Sequence, residues 1–545
     1  MAKITLIASR ENPLAKALLD SMQAEGHKIS VADANLLNPE DVADSEALVY
    51  LPRASGRDGM TPDLREAEDV FRAAALMSPH RFVLLSSAMV YGIGPGRQAW
   101  VDESFIARGQ EGEICDRWQY LEAQAATHFP GNALVILRLS LVLPSPGMHA
   151  GLLGRRFVFA LPGHDPTLQV LSASDLARAV LCVINGKRSG IYNVAPDLVI
   201  PLKRAIAAGS TRIPISRTLQ RLFRNSETLD YIRYPWTISN QKIKRDAGFV
   251  PRQSSLAALM EFRERGATIP HPEPIFDEFG LDAKYIHRLG KTVFRFLGDF
   301  YWRIEHQGME YIPRSGRAIL VGMHRGFIPL DGAMAVHTVV RETGRFPRFL
   351  THPMLFKFPF LFDFMNKMGG VPACRENAIR VLENDGLLGV FPEGVQGAFT
   401  FYRNAYKIQG FGRDAFVKLA LRYRSPIIPF VTVGSAEIFP VFAAIRFPWF
   451  KRYAGFPYIP ITPTFPLLPL PLPSKWHTRF LRPVDIAKYP REAADDPSVV
   501  KTISLEVRTR MQQAVDDMRR RRKSIFFGSM FDTSSDESRS KPAAV

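Results

Sequence analysis

The chain has 545 residues, 46% hydrophobic and 23% charged, which is the composition of globular protein and too long for one ordinary core. Its three cysteines, Cys115, Cys182 and Cys374, are too few for a disulfide framework and fit a reducing compartment. The net charge of +17 is uneven: residues 1–280 sum to about +1 and residues 281–545 to about +16, so the second half calls for an anionic partner.

In chain order, “KITLIAS” (3–9) reads as a first strand and not as a signal peptide, because its apolar run is short and Arg10 follows. “NPLAKALLDSMQAEG” (12–26) has helical spacing at Leu14, Ala17, Leu18 and Met22 and ends at Gly26. “ALVYLP” (47–52), “RFVLLSS” (81–87) and “ALVILRLSLVL” (133–143) are strands of the buried type. Helices “DLREAEDVFRAAALM” (63–77) and “WQYLEAQAATHF” (118–129) separate them. This alternation predicts an α/β, Rossmann-like, doubly wound parallel sheet over 1–267.

The texture changes at “TIPHPEPIFDEFG” (268–280), which is polar and Pro-rich; residues 268–285 are expected to link two domains. A second α/β domain is expected over 286–527. Its strands are “RAILVGMH” (317–324), “GLLGVFPEG” (386–394) and “SPIIPFVTVG” (425–434). Its helices include “CRENAIRVLEND” (374–385) and “GRDAFVKLALRY” (412–423). The tail, 528–545, ends in “SSDESRSKPAAV” and is too poor in apolar residues to fold. No repeat of fixed period and no spanning helix is expected: the most apolar long window, 427–445, holds Pro429, Glu437 and Pro440.

Three segments of the first half, “FVLLSSAMVYG” (82–92), “LVILRLSLVLPSPG” (134–147) and “SNQKIKRDAGFVP” (239–251), resemble the extended short-chain dehydrogenase/epimerase family in order and spacing. The resemblance implies an NAD(P)-binding fold, but its active positions are altered. The fingerprint glycines fall on Ser9, Asn12 and Ala15, whose side chains crowd a pyrophosphate. The catalytic tyrosine and lysine fall on Asp116 and Tyr120, while Ser87 is kept. The domain is therefore expected to be degenerate, with NAD(P) binding disfavoured.

In the second half, the strand “AILVGM” (318–323) delivers His324 to its C-terminal end, where α/β sheets carry their sites. Asp331 follows seven residues on. Arg375 precedes a helix, and Glu393 and Gly394 sit in a turn after another strand. A lone histidine past a strand is usually structural; a histidine, an aspartate, an arginine and a glutamate at the ends of successive elements resemble the four sequence blocks of the glycerolipid (lysophospholipid) acyltransferase superfamily, over about 290–530. The resemblance implies His324 as general base and Asp331 as its orienting partner. It implies Arg375 and Glu393 as acceptor-binding residues, and backbone amides near Gly394 as donors to the oxyanion. Six residues part His324 from Asp331 where the common pattern has four, a spacing closer to the monoacylglycerol acyltransferase-like branch.

The implied partners are acyl-CoA or acyl-carrier protein as donor and a lysophospholipid or related lipid alcohol as acceptor, with no cofactor and no metal. A peripheral site on the inner face of the cytoplasmic membrane is expected from the aromatic stretch 353–370 (Phe356, Phe358, Phe360, Phe362, Phe364), from Arg446, Lys451 and Arg452, and from the polybasic “MRRRRKSIFFGSMF” (518–531). No nucleic-acid reading module is recognisable, and no nucleic-acid partner is expected. Two other readings stay open: a reductase or epimerase tethered to membrane by its second half, and a lipid-binding scaffold without turnover.

Overall fold

The structure is a computed structural model. It describes residues 3–34, 37, 42, 45–55, 59–94, 100–105, 112–144, 153, 157–160, 163–186, 188–207, 211–214, 227–263, 277, 279–358, 361–411, 414–447, 456–463, 465 and 471–531. The chain divides into two compact units: residues 1–281 with 357–363, and the remainder.

The first unit is built on six parallel strands: β1 (Ile4–Ala8), β2 (Ile29–Asp33), β3 (Ala47–Tyr50), β4 (Arg81–Ser87), β5 (Leu134–Leu139) and β6 (Gly190–Val194). Their order is 2-1-3-4-5-6, with every pair parallel. This is the doubly wound arrangement expected from the alternation, and its switch point lies between β1 and β3. Helices α1 (Pro13–Ala24), α2 (Leu64–Leu76), α3 (Glu113–His128) and α4 (Ala173–Asn185) bury one apolar face each.

Some boundaries differ from the sequence reading. The run 133–143 breaks at Ser140, whose N–H donates to Val194, and its second part pairs separately with Val170–Ser172. Helix α3 begins five residues before the expected start, because Glu227 accepts from the amide of Ile114 in its first turn. The segments of β2 and β6 carry too few consecutive apolar residues to stand out alone.

The main sheet of the second unit has seven strands among the described residues: β7 (Glu305–Gln307), β8 (Ala318–Gly322), β9 (Arg348–Thr351), β10 (Gly370–Pro372), β11 (Leu387–Val390), β12 (Ile427–Val433) and β13 (His477–Phe480). Their order is 7-13-12-8-11-9-10. Only the 12–13 pair is antiparallel. The three strands read from sequence are the central, wholly buried ones, 12, 8 and 11; the short outer strands carry little periodic signal. The unit's longer helices among the described residues are α5 (Ala283–Lys291), α6 (Leu330–Thr343), α7 (Arg375–Glu383), α8 (Ala415–Tyr423) and α9 (Pro497–Arg521).

The aromatic and polybasic stretches are divided between the core and the surface. Phe356 and Phe362 are buried, while Phe358 is exposed; Phe360, Lys451 and Arg452 lie outside the described residues, as does the tail beyond 531. In the polybasic run, Arg522 is buried against Glu437, Nη1 to Oε1 2.6 Å, and Arg521 pairs with Asp517 at 3.2 Å. No helix among the described residues is long and apolar enough to cross a membrane.

Gly322 ends β8 between two rings: a Cβ there would land on carbons of Phe430 and Phe391. Gly322→Ala is expected to lower the stability of the second unit by about 1–3 kcal/mol through overpacking. Calorimetry checks this, with Phe430→Leu in the same chain recovering part of the loss.

Candidate active site

The site forms where β8 and β11 run side by side. Val321 lies opposite Val390, so the residues that follow, His324 and the Phe391–Gly394 turn, leave the sheet together. Phe391 stacks on the His324 ring at 4.8 Å and on Phe349 at 5.1 Å, which fixes the plane of the imidazole.

The six residues after His324 bend back through Gly326, whose φ of +90° suits glycine. Asp331 is thereby returned to the histidine from the first turn of α6, where the helix dipole favours a carboxylate. His324 Nδ1 lies 2.9 Å and 2.8 Å from the two Asp331 oxygens. The same carboxylate accepts from the amides of Arg325 and Gly332, each at 2.8 Å. With Nδ1–H donating to Asp331, Nε2 is the nitrogen left with a lone pair. The imidazole side chain is 14% exposed, so a substrate reaches it while most of its surroundings are dry.

Glu393 faces a partner that the sequence reading did not select. Its Oε2 accepts from Arg325 Nη1 at 2.8 Å and its Oε1 from the Gln409 amide at 2.6 Å. Arg325 is itself buried and donates to the carbonyls of His324 (2.6 Å), Ala405 (2.6 Å) and Lys407 (2.9 Å). The arginine that Glu393 meets is thus Arg325 and not Arg375, and both carboxylate oxygens are engaged within the protein. A cation placed directly after the histidine was the available signal for Arg325, since a buried guanidinium needs an acid. The Gly394 amide donates to Phe391 O at 2.9 Å, closing the turn, so it is not a donor to spare for an oxyanion.

Arg375 stands exposed at the start of α7, after the edge strand β10. That strand is three places from β8, roughly 14 Å at ordinary strand spacing. His324, Asp331 and Glu393 are therefore gathered in one place, and Arg375 lies at a distance from them. The neighbouring Cys374 thiol is pushed up to about 12 by burial and is no nucleophile at neutral pH.

In the first unit, Ser9 follows β1 and Asn12 caps α1, its Oδ1 accepting from Leu14 N at 3.0 Å; Ala15 is buried in the first turn. These residues do not fit a dinucleotide pyrophosphate. The turn from Ser9 to Asn12 has no glycine, and the Asn12 carboxamide takes a helix amide that a phosphate oxygen would use. Asp33, at the end of β2 where a ribose is usually held, pairs with Arg10 at 3.4 Å. Tyr120 is exposed on α3, and the Ser87 hydroxyl accepts from the Met89 amide.

A family profile described as Acyltransferase matches residues 303–433. The uncharacterized protein Rv0502 of Mycobacterium tuberculosis (strain ATCC 25618 / H37Rv) is 38% identical over 259 residues, 46% of this chain and 72% of that protein. The Bos taurus protein named DGAT1/2-independent enzyme synthesizing storage lipids is 29% identical over 164 residues, 30% of this chain and 48% of its own. Among solved structures, UDP-N-acetylglucosamine 4-epimerase from Bacillus cereus is 14% identical, covering 49% of this chain and 100% of that one, with a TM-score of 0.38.

Removing one partner of the Arg325–Glu393 pair strands a buried charge. Arg325→Met alone is expected to destabilise the second unit by about 3–5 kcal/mol. Arg325→Met with Glu393→Leu should cost less than the single change, as read by calorimetric unfolding.

Proposed function

The chain belongs to the acyltransferase family, and from that premise we propose that it moves a fatty acyl chain from acyl-CoA or acyl-carrier protein to the hydroxyl of a lysophospholipid or related lipid alcohol. The observation that carries this reading is the His324–Asp331 dyad, with Nδ1 held by both carboxylate oxygens.

A free alcohol is a poor nucleophile. His324 Nε2 takes the hydroxyl proton as the oxygen bonds to the thioester carbonyl carbon, a contribution of roughly 10²–10⁴-fold. Asp331 holds the tautomer and stabilises the imidazolium. The tetrahedral intermediate then collapses, the C–S bond breaks, and the imidazolium returns the proton to the departing thiolate. The ester and free thiol are the products, and no covalent enzyme intermediate forms.

Arg375 binds a phosphate or carboxylate at the far end of the acceptor or donor, which suits its exposed guanidinium. Glu393 and Gly394 shape the site from within, in keeping with their bonds to Arg325 and Phe391. The bovine relative is named for storage lipids, which favours a neutral lipid alcohol as acceptor. Monoacylglycerol, diacylglycerol and fatty alcohols therefore stand first in an acceptor panel; a role in phospholipid biosynthesis requires lysophospholipid instead. An acceptor of either kind resides in a bilayer, so the chain works peripherally, on the cytoplasmic face. The first unit contributes no hydride chemistry, because its β1–α1 turn is filled by side chains.

Purified chain with labelled long-chain acyl-CoA should label at least one acceptor of that panel. His324→Ala should lower kcat by about 10²–10⁴-fold with its melting temperature kept, and Asp331→Asn should also lower kcat. Full activity in His324→Ala would dismiss the histidine as base. Millimolar NAD(H) or NADP(H) should leave the melting temperature of the chain unmoved; a clear rise would restore the reductase reading.

A further inference from the structure

The segment before β7 exposes apolar side chains for which the core has no place. Phe294, Gly298 and Trp302 face inward, spaced four apart. Val293, Phe296 and Phe300 face outward, and Phe300 is 64% exposed. The final turn is a π turn, with Trp302 N–H donating to Leu297 O at 2.7 Å. A Cβ on Gly298 would meet Met334 of α6 at 3.2 Å, so the inner face lies close on that helix and the phenylalanines point away from it.

A second segment brings more of the same chemistry. Ile525, Phe526 and Phe527 follow α9 and are exposed, Phe527 to 71%. The two segments meet at Arg303. Its Nη2 donates to Phe526 O at 2.6 Å, and its guanidinium lies 5.6 Å from the centre of the Phe527 ring. Beneath them Trp302 stacks on Trp476 at 4.5 Å, and the adjacent Lys475 amide donates to Ile525 O at 2.8 Å. All six apolar residues lie outside the matched residues 303–433.

The charge on these two segments is mainly positive. Residues 291–303 and 519–527 carry Lys291, Arg295, Arg303 and the cations from Arg519 to Lys523, with Asp299 as their one acid. Asp299 is already paired with Arg341 at 3.0 Å. Arg295 also pairs with Asp299, Arg520 and Arg521 with Asp517, and Arg522 with Glu437. Lys291, Arg303, Arg519 and Lys523 remain beside the rings, and aromatic rings next to such cations suit the head-group zone of an anionic bilayer, where rings sit at the interface and cations meet phosphate. A second copy of the chain would instead set cation against cation.

We infer that this surface, Phe296 and Phe300 with Phe526 and Phe527, docks the second unit on an anionic lipid bilayer. The inference rests on the lipid-acceptor reading above and names the surface through which the chain reaches its acceptor. The test is co-sedimentation of the full chain with phosphatidylcholine vesicles, with and without phosphatidylglycerol. Phe296→Ser/Phe300→Ser and Phe526→Ser/Phe527→Ser run beside the parent. The parent should bind the anionic vesicles, and each double variant should bind roughly tenfold more weakly. Transfer to a short-chain, water-soluble acceptor should be unchanged in both. Should a double variant fail to fold, Phe527→Gln carries the same comparison. Equal vesicle binding by parent and variants overturns the assignment. So does a parent dimer in sedimentation velocity that either variant dissolves. A parent that binds vesicles through these residues but transfers nothing to any acceptor leaves the docking surface standing and removes the acyl-transfer reading.

Discussion

A guanidinium without water must find all its acceptors inside the protein, and Arg325 does so at the centre of the second unit. Glu393 and the carbonyls of His324, Ala405 and Lys407 surround it. These four acceptors come from three stretches of chain. The loop after β8, the turn after β11 and the loop 405–409 are held to one point because charge burial is tolerated only with complete pairing. The backbone carbonyl of His324 is among the groups so held. The position of the imidazole therefore depends on an ion pair that lies below it.

Above that pair the packing is aromatic. Phe391 comes from the same turn as Glu393, so one short stretch supplies both the acid for Arg325 and the ring that supports His324. Phe349 and Phe430 close round Phe391; Gly322 leaves space for Phe391 and Phe430, and Gly389 for Phe349. Asp331 enters from the start of α6 and completes the imidazole's surroundings. Buried charge below, stacked rings beside and a helix-borne carboxylate opposite leave one open edge, that of Nε2.

The two units use one architecture differently. Both place loops at the ends of parallel strands. In the first, the loop after β1 is occupied by its own Asn12 cap, and the acid after β2 by Arg10. In the second, the loop after β8 carries a histidine whose free edge faces outward.

Much of this was legible in the residues. The central strands of both sheets are runs of buried apolar residues, and such runs announce themselves by composition alone. His324, Asp331, Arg375 and Glu393 stood out because, in this order, they resemble the four sequence blocks of the acyltransferase superfamily. The outer strands, such as Glu305–Gln307 and Gly370–Pro372, are three residues long, and three residues have no period to detect. The sequence by itself determined two α/β sheets, their central strands and the residue types at the strand ends, because those follow from local pattern. Tertiary packing alone makes Glu393 answer Arg325, puts Arg375 after a strand three places from β8, buries Arg522 and lays the Arg303 guanidinium on Phe527. Pairings between residues tens to hundreds of positions apart depend on how the sheet closes and which charges are denied water, and no local spacing encodes either.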